Sequence, residues 1–536
     1  MPVGLGRFDV NLHDLEIRLD RAAEVPLSPE ECQTLKAVVQ TFAHVLDLLD
    51  EQGTTIARLR ELLGRSRTEK TRHVVEEAGL DVGTPPRSPA PLSAPSPAPG
   101  HGRLGADAYT GARRVRIPHA ALKPGARCPS CVRGKVYAYP EPGLLVRFVG
   151  QSPLSATVYE LDKLRCNLCQ EIFTATPPAE VGEEKYDATA AAMIAVLKYG
   201  TGLPFYRQAQ LQGAMGIPLP VSTLWDIAAR AAVLLQPVLD ELIRQEAQGA
   251  VFHNDDTRML ILALRRAIEE DAVDTSDRTG MFTSGIVVTM QHQQIALFLT
   301  GRKHAGENLA AVLARRAAEL GPPIQMCDAA TRNLPKPLDI ILGNCLAHGR
   351  RRFVQVAPNF PQECGHVLNA LSLIYRHDAQ AREQNLSPED RLHFHQTRSG
   401  PVMDDLHTWL RTQLDEQRVE PNSGLGQAIT YLLKHWRELT LFLRQPGAPL
   451  DNNVVERALK KAILHRKNAL FYRTQNGARV GDLYMTFVHT CELNGVNAFD
   501  YLTELQRHAA EAAANPGQWL PWNYWETLAH TGPPPP

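Results

Sequence analysis

Near the N-terminus apolar residues recur every seventh position, at Leu35, Phe42, Leu49, Ile56 and Leu63, with Val38, Val45 and Leu59 at the intervening positions and Gln52 breaking the series. This seam predicts a helical region over residues 1–79 that pairs as a coiled coil. An amphipathic helix packed on its own domain, interrupted at Gly53, would show the same pattern. Residues 80–113 lose all periodicity and are dominated by Pro, Ser, Gly and Ala, which predicts a linker unable to bury a core. Short strand-like runs follow at Lys135–Tyr139, Leu144–Val149 and Ala156–Leu161, within a segment spanning 114–180. Residues 181–245 read as helices. One carries Tyr206-Arg207-Gln208, a break falls at Gly216–Pro220, and a new helix opens at Ser222. That suits a helix-turn-helix, and equally any αα-hairpin.

From residue 250 the period shortens. Ala250–Asn254, Met259–Ala263, Gly285–Met290, Gln294–Leu299, Pro323–Cys327 and Asp339–Gly343 are strand-like, and Glu307–Leu320 is helical. Residues 346–445 are helical, with interruptions around 358–361, 386–389 and 420–424, and a last important helix starts at Asp451. Strands first, then helices, then a late helix describe an α/β core (246–357 and 448–508) carrying an all-α insertion (358–447), with a C-terminal tail at 509–536.

The chain of 536 residues has a net charge of −1, so nucleic-acid binding finds no global electrostatic support and would have to come from local patches. One such patch is Arg58–Arg72, with six Lys/Arg. No secretory pattern and no apolar run approaching about 18 residues is present, which predicts a soluble cytoplasmic protein with no membrane partner.

Four of the nine cysteines form two pairs, Cys128-Pro129-Ser130-Cys131 and Cys166-Asn167-Leu168-Cys169. Two such knuckles flanking short strands predict a zinc ribbon, in which four thiolates hold Zn²⁺ tetrahedrally. Farther on, Asp255 and Asp328 stand at or near the ends of expected strands. Glu456 lies one turn into the helix opened by Asp451-Asn452-Asn453, a good N-cap cluster. Lys460 and Lys467 share its face if the helix continues, and Arg457, Lys461, His465 and Arg466 add charge nearby. Two aspartates and a glutamate beside cations are what two-metal phosphoryl transfer on DNA needs, with Mg²⁺ (or Mn²⁺) as the hard cation. Alone, Glu456 would read as an ordinary surface pair with Lys460. Cys345 and His348 form a further spaced pair, read as a packing feature or a metal-binding pair. It leads into Arg350, Arg351 and Arg352, read as phosphate contacts.

The segment LDNNVVERALKKAILHRKNAL at Leu450–Leu470 resembles the C-terminal signature of the IS66 family of bacterial insertion-sequence transposases. Val488–Leu502, Leu520-Pro521-Trp522-Asn523, Leu203–Gln208, the cysteine ribbon and Leu62-Leu63-Gly64-Arg65 fit the same resemblance. It implies an RNase H-like core with a DDE triad falling on Asp255, Asp328 and Glu456. Asp256 stands where the family has Glu, and Asp328 is followed by Ala329-Ala330-Thr331-Arg332 rather than Gly-Tyr. It further implies double-stranded DNA as partner, both insertion-sequence ends and target, and a nucleoid-associated location. The N-terminal helix would pair protomers into a homo-oligomer, and accessory proteins encoded by the same element stand as further partners. A zinc-ribbon and helix-turn-helix regulator without catalysis, and a nuclease that cuts but never joins, are the competing expectations.

Overall fold

The computed structural model describes residues 121–131, 133–137, 152–165, 172–178, 184–270, 278–290, 293–335 and 339–531. The expected coiled coil, the Arg58–Arg72 patch, the linker, Cys166 and Cys169 lie outside them. Strands β1 (Lys163–Arg165) and β2 (Ile172–Thr174) form a small antiparallel pair. Three helices follow: α1 (Ala188–Ala195), α2 (Phe205–Ala214) and α3 (Val221–Glu246). A single π-helical turn, Val196–Gly200, continues α1. Next come β3 (Val251–Arg258), α4 (Leu262–Glu269), β4 (Phe282–Met290), β5 (Gln293–Gly301), α5 (Ala305–Leu313), β6 (Ile324–Cys327) and β7 (Ile341–Asn344).

The five-stranded sheet has the order β5-β4-β3-β6-β7. β3, β4 and β5 are antiparallel neighbours, while β6 and β7 run parallel to β3. β4 and β5 are apolar and buried along most of their length, as their patterns predict. β3 differs from expectation. Its pairing with β4 continues unbroken from Val251↔Thr289 to Arg258↔Phe282, so Asp255-Asp256-Thr257 lies inside a strand rather than between two. The strand expected at Met259–Ala263 does not form. Leu-Ala-Leu-Arg-Arg-Ala-Ile-Glu is instead the helix α4, consistent with its strong helix formers. The helix expected to reach Leu320 ends at Leu313, where the chain turns and Arg316 donates to the carbonyls of Ala247, Gly249 and Gly321.

Residues Leu346–Trp436 form a helical unit of their own. It comprises α6 (Leu346–Val356), α7 (Pro361–Glu383), α8 (Pro388–Arg398), α9 (Gly400–Asp415) and α10 (Gly424–Lys434). Its breaks fall where the sequence places them, with one more at Ser399, between α8 and α9. Gly349 lets α6 approach α10, since a Cβ there would stand 2.6 Å from Leu432 Cδ2.

The chain then runs through α11 (Trp436–Leu439) to α12 (Asn453–Ala469), α13 (Gln475–Leu493), α14 (Ala498–Arg507), α15 (Ala509–Ala514) and α16 (Tyr524–Thr531). The αα-hairpin of α2 and α3 is observed, and α3 buries Leu224, Ile227, Ala228, Leu235 and Leu242 in the same core as the sheet. Tyr484 on α13 donates to the Ala228 carbonyl at 2.8 Å, tying the two helices together.

α13 also closes the exposed edge of the sheet. Asp482, Thr486, Thr490 and Asn494 accept from the backbone amides of Thr300, Phe298, Ala296 and Gln294 at 2.6, 3.1, 3.2 and 3.1 Å. Four helical residues rise about 6 Å and two strand residues about 6.6 Å, so an i, i+4 ladder of acceptors matches alternate amides of an edge strand. Burial pushes the Asp482 carboxyl up to about 8, against bonds from Thr300 that favour the charged form. The native state therefore keeps a proton that the unfolded chain releases above about pH 4. This group's contribution to stability falls as pH rises from there to about 8. Asp482→Asn is expected to flatten that slope and to raise the unfolding temperature at pH 8. Thermal unfolding of both proteins from pH 5 to 9 measures it.

Candidate active site

The parallel register of β3 with β6 pairs Val251 with Ile324, Phe252 with Gln325 and His253 with Met326. Continued by two residues, it sets Asp328 beside Asp255, on strands about 4.8 Å apart. Side chains in register share a face, so both carboxylates project together. One donor bridges them: Asn333 Nδ2 reaches Asp255 Oδ1 at 3.3 Å and also donates to Asp328 Oδ1. Asp255 Oδ1 accepts the Asp256 amide at 2.8 Å, and Asp328 Oδ1 that of Ala330 at 3.1 Å. Burial, with a smaller push from the Asp328 charge, raises the Asp255 carboxyl to about 6. Two carboxylates so close, in partly buried surroundings, are a site short of positive charge.

Asp256 projects to the opposite face. There it meets His304 Nδ1 at 2.7 Å and Arg332 Nε at 3.6 Å, which gives it a structural ion partner. Of the two adjacent aspartates, only Asp255 shares a donor with Asp328.

The third acid arrives on α12, which crosses the face that carries Asp255. Gly285 is the β4 partner of Asp255, and a Cβ on it would lie 3.0 Å from Leu459 Cδ2 and 3.2 Å from Val455 Cγ2. The glycine thus lets the helix settle on the sheet at the level of the aspartate. On the same face of β3, His253 Nδ1 meets Asn452 Oδ1 at 3.1 Å, and Thr257 Oγ1 accepts from Arg466 at 3.0 Å. Asp255 lies between these two fixings. Glu456 is in the first turn of α12, half-buried, with a carboxylate oxygen within 4.8 Å of the Cys345 sulfur at the end of β7. Cys345 N in turn donates to the carbonyl of Cys327, the residue before Asp328. The fold therefore brings Asp255 and Asp328 together on one face of the sheet and lays α12, with Glu456 in its first turn, across that face.

The expected N-cap of α12 takes a different form. Asn452 makes no side-chain cap bond. It is fully buried, and its side chain is spent on His253 and on the Asn254 carbonyl at 3.0 Å, while its amide donates to Cys345 Sγ at 3.2 Å. Asn333, Asn254 and Gln325 form a second buried amide set, in which Gln325 Nε2 donates to Asn254 Oδ1 and to the Asn333 carbonyl. Asn452 was picked out from the sequence only as part of an N-cap cluster, and Asn254, Asn333 and Gln325 were not picked out at all. Asparagines in polar stretches resemble loop surface, and only their burial distinguishes them.

The basic residues divide. Arg457, Lys460 and Lys467 are exposed on α12. Lys461 is held by Glu492 at 2.8 Å and by the Gly200 carbonyl at 3.4 Å, and Arg466 by Thr257 and the Arg258 carbonyl. These two cations have partners within the chain and fasten α12 to its neighbours. Arg350, Arg351 and Arg352 lie on α6 of the helical unit, where the Arg352 guanidinium stacks 4.0 Å over the Tyr431 ring. Cys327 is buried, and burial pushes its thiol well above the ordinary range, leaving it inert.

At the first cysteine knuckle, an isolated antiparallel bridge joins Arg127 and Lys135. Cys128 N donates to the Gly134 carbonyl at 2.8 Å, and Gly134 N to Cys131 Sγ at 3.4 Å. The amides of Gly134 and Arg133, then Cys128, hold the exposed Cys131 thiol below its usual range. β1 and β2 pair as Arg165↔Ile172, and Cys166 and Cys169 fall between them in the sequence, outside the described residues.

The family model "Transposase IS66 family" matches residues 184–480, from the start of α1 through the Asp255, Asp328 and Glu456 positions. The chain belongs to the IS66 transposase family. Two proteins of Sinorhizobium fredii, each described as uncharacterized, match it at length. One is y4jD, 27% identical over 518 residues covering 91% of this chain and 96% of that protein. The other is y4hP, 26% identical over 511 residues covering 89% of each. In this IS66 transposase family member the matched span contains the whole five-stranded sheet, the helical unit and α12. Among the described residues no helix is long and apolar enough to cross a membrane.

Proposed function

We propose that this chain cuts and joins DNA at insertion-sequence ends by a DDE mechanism, with Asp255, Asp328 and Glu456 as the acid triad. The observation that carries the reading is the pair of register-matched aspartates sharing one Asn333 donor beneath the helix that bears Glu456. The strand order and senses, three antiparallel strands followed by two parallel ones, support an RNase H-like core. The raised Asp255 carboxyl fits a cation: a group held partly protonated by burial and a neighbouring negative charge is released from both by a divalent ion. The three acids would hold Mg²⁺ or Mn²⁺, and two such ions supply charge stabilisation at the attacking and leaving oxygens of an in-line displacement.

The chain's own residues set that chemistry up. Asn333 fixes the orientation of both aspartates. Asn452 and Arg466 fasten α12 to β3 so that Glu456 is presented from a rigid helix. Arg457, Lys460 and Lys467 face solvent, and among the described residues they make none of the internal bonds that occupy Lys461 and Arg466, which suits them to phosphate.

The ribbon belongs to the same proposal. Cys128 and Cys131, with Cys166 and Cys169, would hold Zn²⁺; amide N–H groups aimed at the Cys131 sulfur favour the thiolate that Zn²⁺ requires. The ribbon, the α2–α3 hairpin and the basic Arg58–Arg72 stretch would recognise the DNA ends, and the N-terminal helices would pair protomers. Accessory proteins of the element would complete the assembly.

The test uses the purified full chain, a labelled duplex carrying the element's end, and Mg²⁺ or EDTA. Mg²⁺-dependent nicking that leaves a 3′-hydroxyl, absent in Glu456→Gln, is the expected result. Tight binding without cutting, even with the accessory proteins added, would replace this reading with that of a DNA-binding regulator. Cutting without joined products would make it a nuclease.

A further inference from the structure

α12 ends in an unusual corner. Leu470 has φ 69° and ψ −44°, and the Phe471 amide donates to the Ala469 carbonyl at 2.9 Å across it. This is a γ-turn of the rare positive-φ kind, a strained conformation for a residue with a side chain. Among the described residues three non-glycines have positive φ, and Leu470 is the apolar one beside Asn385 and Gln417. The corner is pinned on both sides. Leu470 N bonds back to the Arg466 carbonyl, and Tyr472, buried, exchanges backbone bonds with Leu260 and Leu262 at 2.8 and 2.9 Å. What the turn achieves is exposure: Leu470 is 64% and Phe471 38% exposed, side by side.

The surroundings of this apolar pair are cationic. From Arg457 to Gly481 the chain carries seven Lys/Arg and no Asp or Glu, in a protein whose net charge is −1. Lys467 and Arg473 flank the corner in sequence, and Arg258, whose carbonyl accepts a bond from Arg466, lies near it; all three are exposed. A protein partner offering an apolar patch here would have to strip water from the exposed cations Arg258, Lys467 and Arg473. DNA complements both parts at once, with phosphates for the cations and base faces for the leucine and phenylalanine.

We propose that Leu470 and Phe471 form a base-contacting wedge, which inserts at or stacks on an unstacked base step of the DNA lying along α12. This rests on the DNA-cleavage reading above and deepens it. Glu456 and Leu470 are fourteen residues apart on the helix, which is about 20 Å along its axis. At roughly 3.4 Å per base step, the wedge falls about six steps from the phosphate at the acid site.

The experiment places 2-aminopurine singly at successive positions of the labelled end duplex and adds the full chain with Ca²⁺, so that contact is read without cutting. Fluorescence is expected to rise about six steps from the cut site in the wild type. Leu470→Gly and Phe471→Ala should lose that rise and bind roughly tenfold more weakly. Leu470→Gly should meanwhile keep or raise the unfolding temperature, because glycine adopts this φ without strain. The proposal falls if both variants keep the signal and the affinity. It falls equally if Phe471→Ala instead dissociates a dimer with the DNA signal intact, which would make the corner a contact with a second copy. A wild type that binds and gives the signal but never cuts with Mg²⁺ would keep the wedge and overturn the cleavage reading. A wild type that fails to bind overturns both.

Discussion

Asp255→Asn is expected to lower Mg²⁺-dependent nicking by about a thousandfold or more, the equivalent of several kcal/mol of transition-state stabilisation. Asparagine keeps the size of the side chain and can still face Asn333. It removes the charge through which, on the proposed reading, the pair with Asp328 would hold a cation. DNA affinity should hold or rise, because one negative charge close to phosphate disappears. Stability should also hold or rise, since burial already disfavours the charged form of Asp255. Paired measurements of cleavage rate, duplex affinity and thermal unfolding check all three. An Asp255→Asn protein that still cuts would sink the triad. The same change at Asp256 gives the contrast: its partners are His304 and Arg332 on the other face, so Asp256→Asn should affect stability more than chemistry.

Asn452→Ala is expected to cost about 2–4 kcal/mol of stability, from leaving two buried polar groups unsatisfied. These are His253 Nδ1 and the Asn254 carbonyl, both bonded to the Asn452 side chain in a fully buried setting. Burial holds the His253 ring down at about 4, so it is neutral at pH 7 and relies on Asn452 for its hydrogen bond. The native ring resists a proton that the unfolded chain takes up below about pH 6.5. Its contribution to stability is therefore complete above that value and is lost as pH falls toward 4. Asn452→Ala should thus unfold more readily at pH 7, by chemical denaturation, and should also lose cleavage, because the start of α12 and with it Glu456 loosens from β3. An Asn452→Ala protein of native stability would show that the buried bonds contribute little.

How far the sequence revealed this arrangement depends on what each residue does in the fold. β4 and β5 were legible because they are buried apolar strands, and the helical unit because its breaks are rich in Pro, Gly, Asn and Ser. β3 was cut short. Its second half, Asn-Asp-Asp-Thr-Arg, has the composition of a turn, yet cross-strand pairing with β4 holds it extended. The two aspartates and the glutamate could be singled out by residue type and by resemblance. That the two aspartates share a face could not, because it depends on a parallel register between segments far apart in the chain. Lys461 and Arg466 show the converse: cations beside a glutamate invite a phosphate reading, and only the three-dimensional contacts show their internal partners.

The order in which the chain supplies the site has its own consequence. β3, β6 and β7 are complete by Asn344, and the helical unit intervenes before α12 begins at Asn453. During synthesis the aspartate pair can therefore form long before the glutamate exists. The helix that brings the glutamate also brings Asn452, which closes the open hydrogen bonds of His253 and Asn254. The arrival of Glu456 therefore coincides with the closing of these buried bonds, so a half-made chain that stops before α12 carries the aspartate pair alone, and under the proposed reading DNA cutting would arise only once α12 has docked on β3.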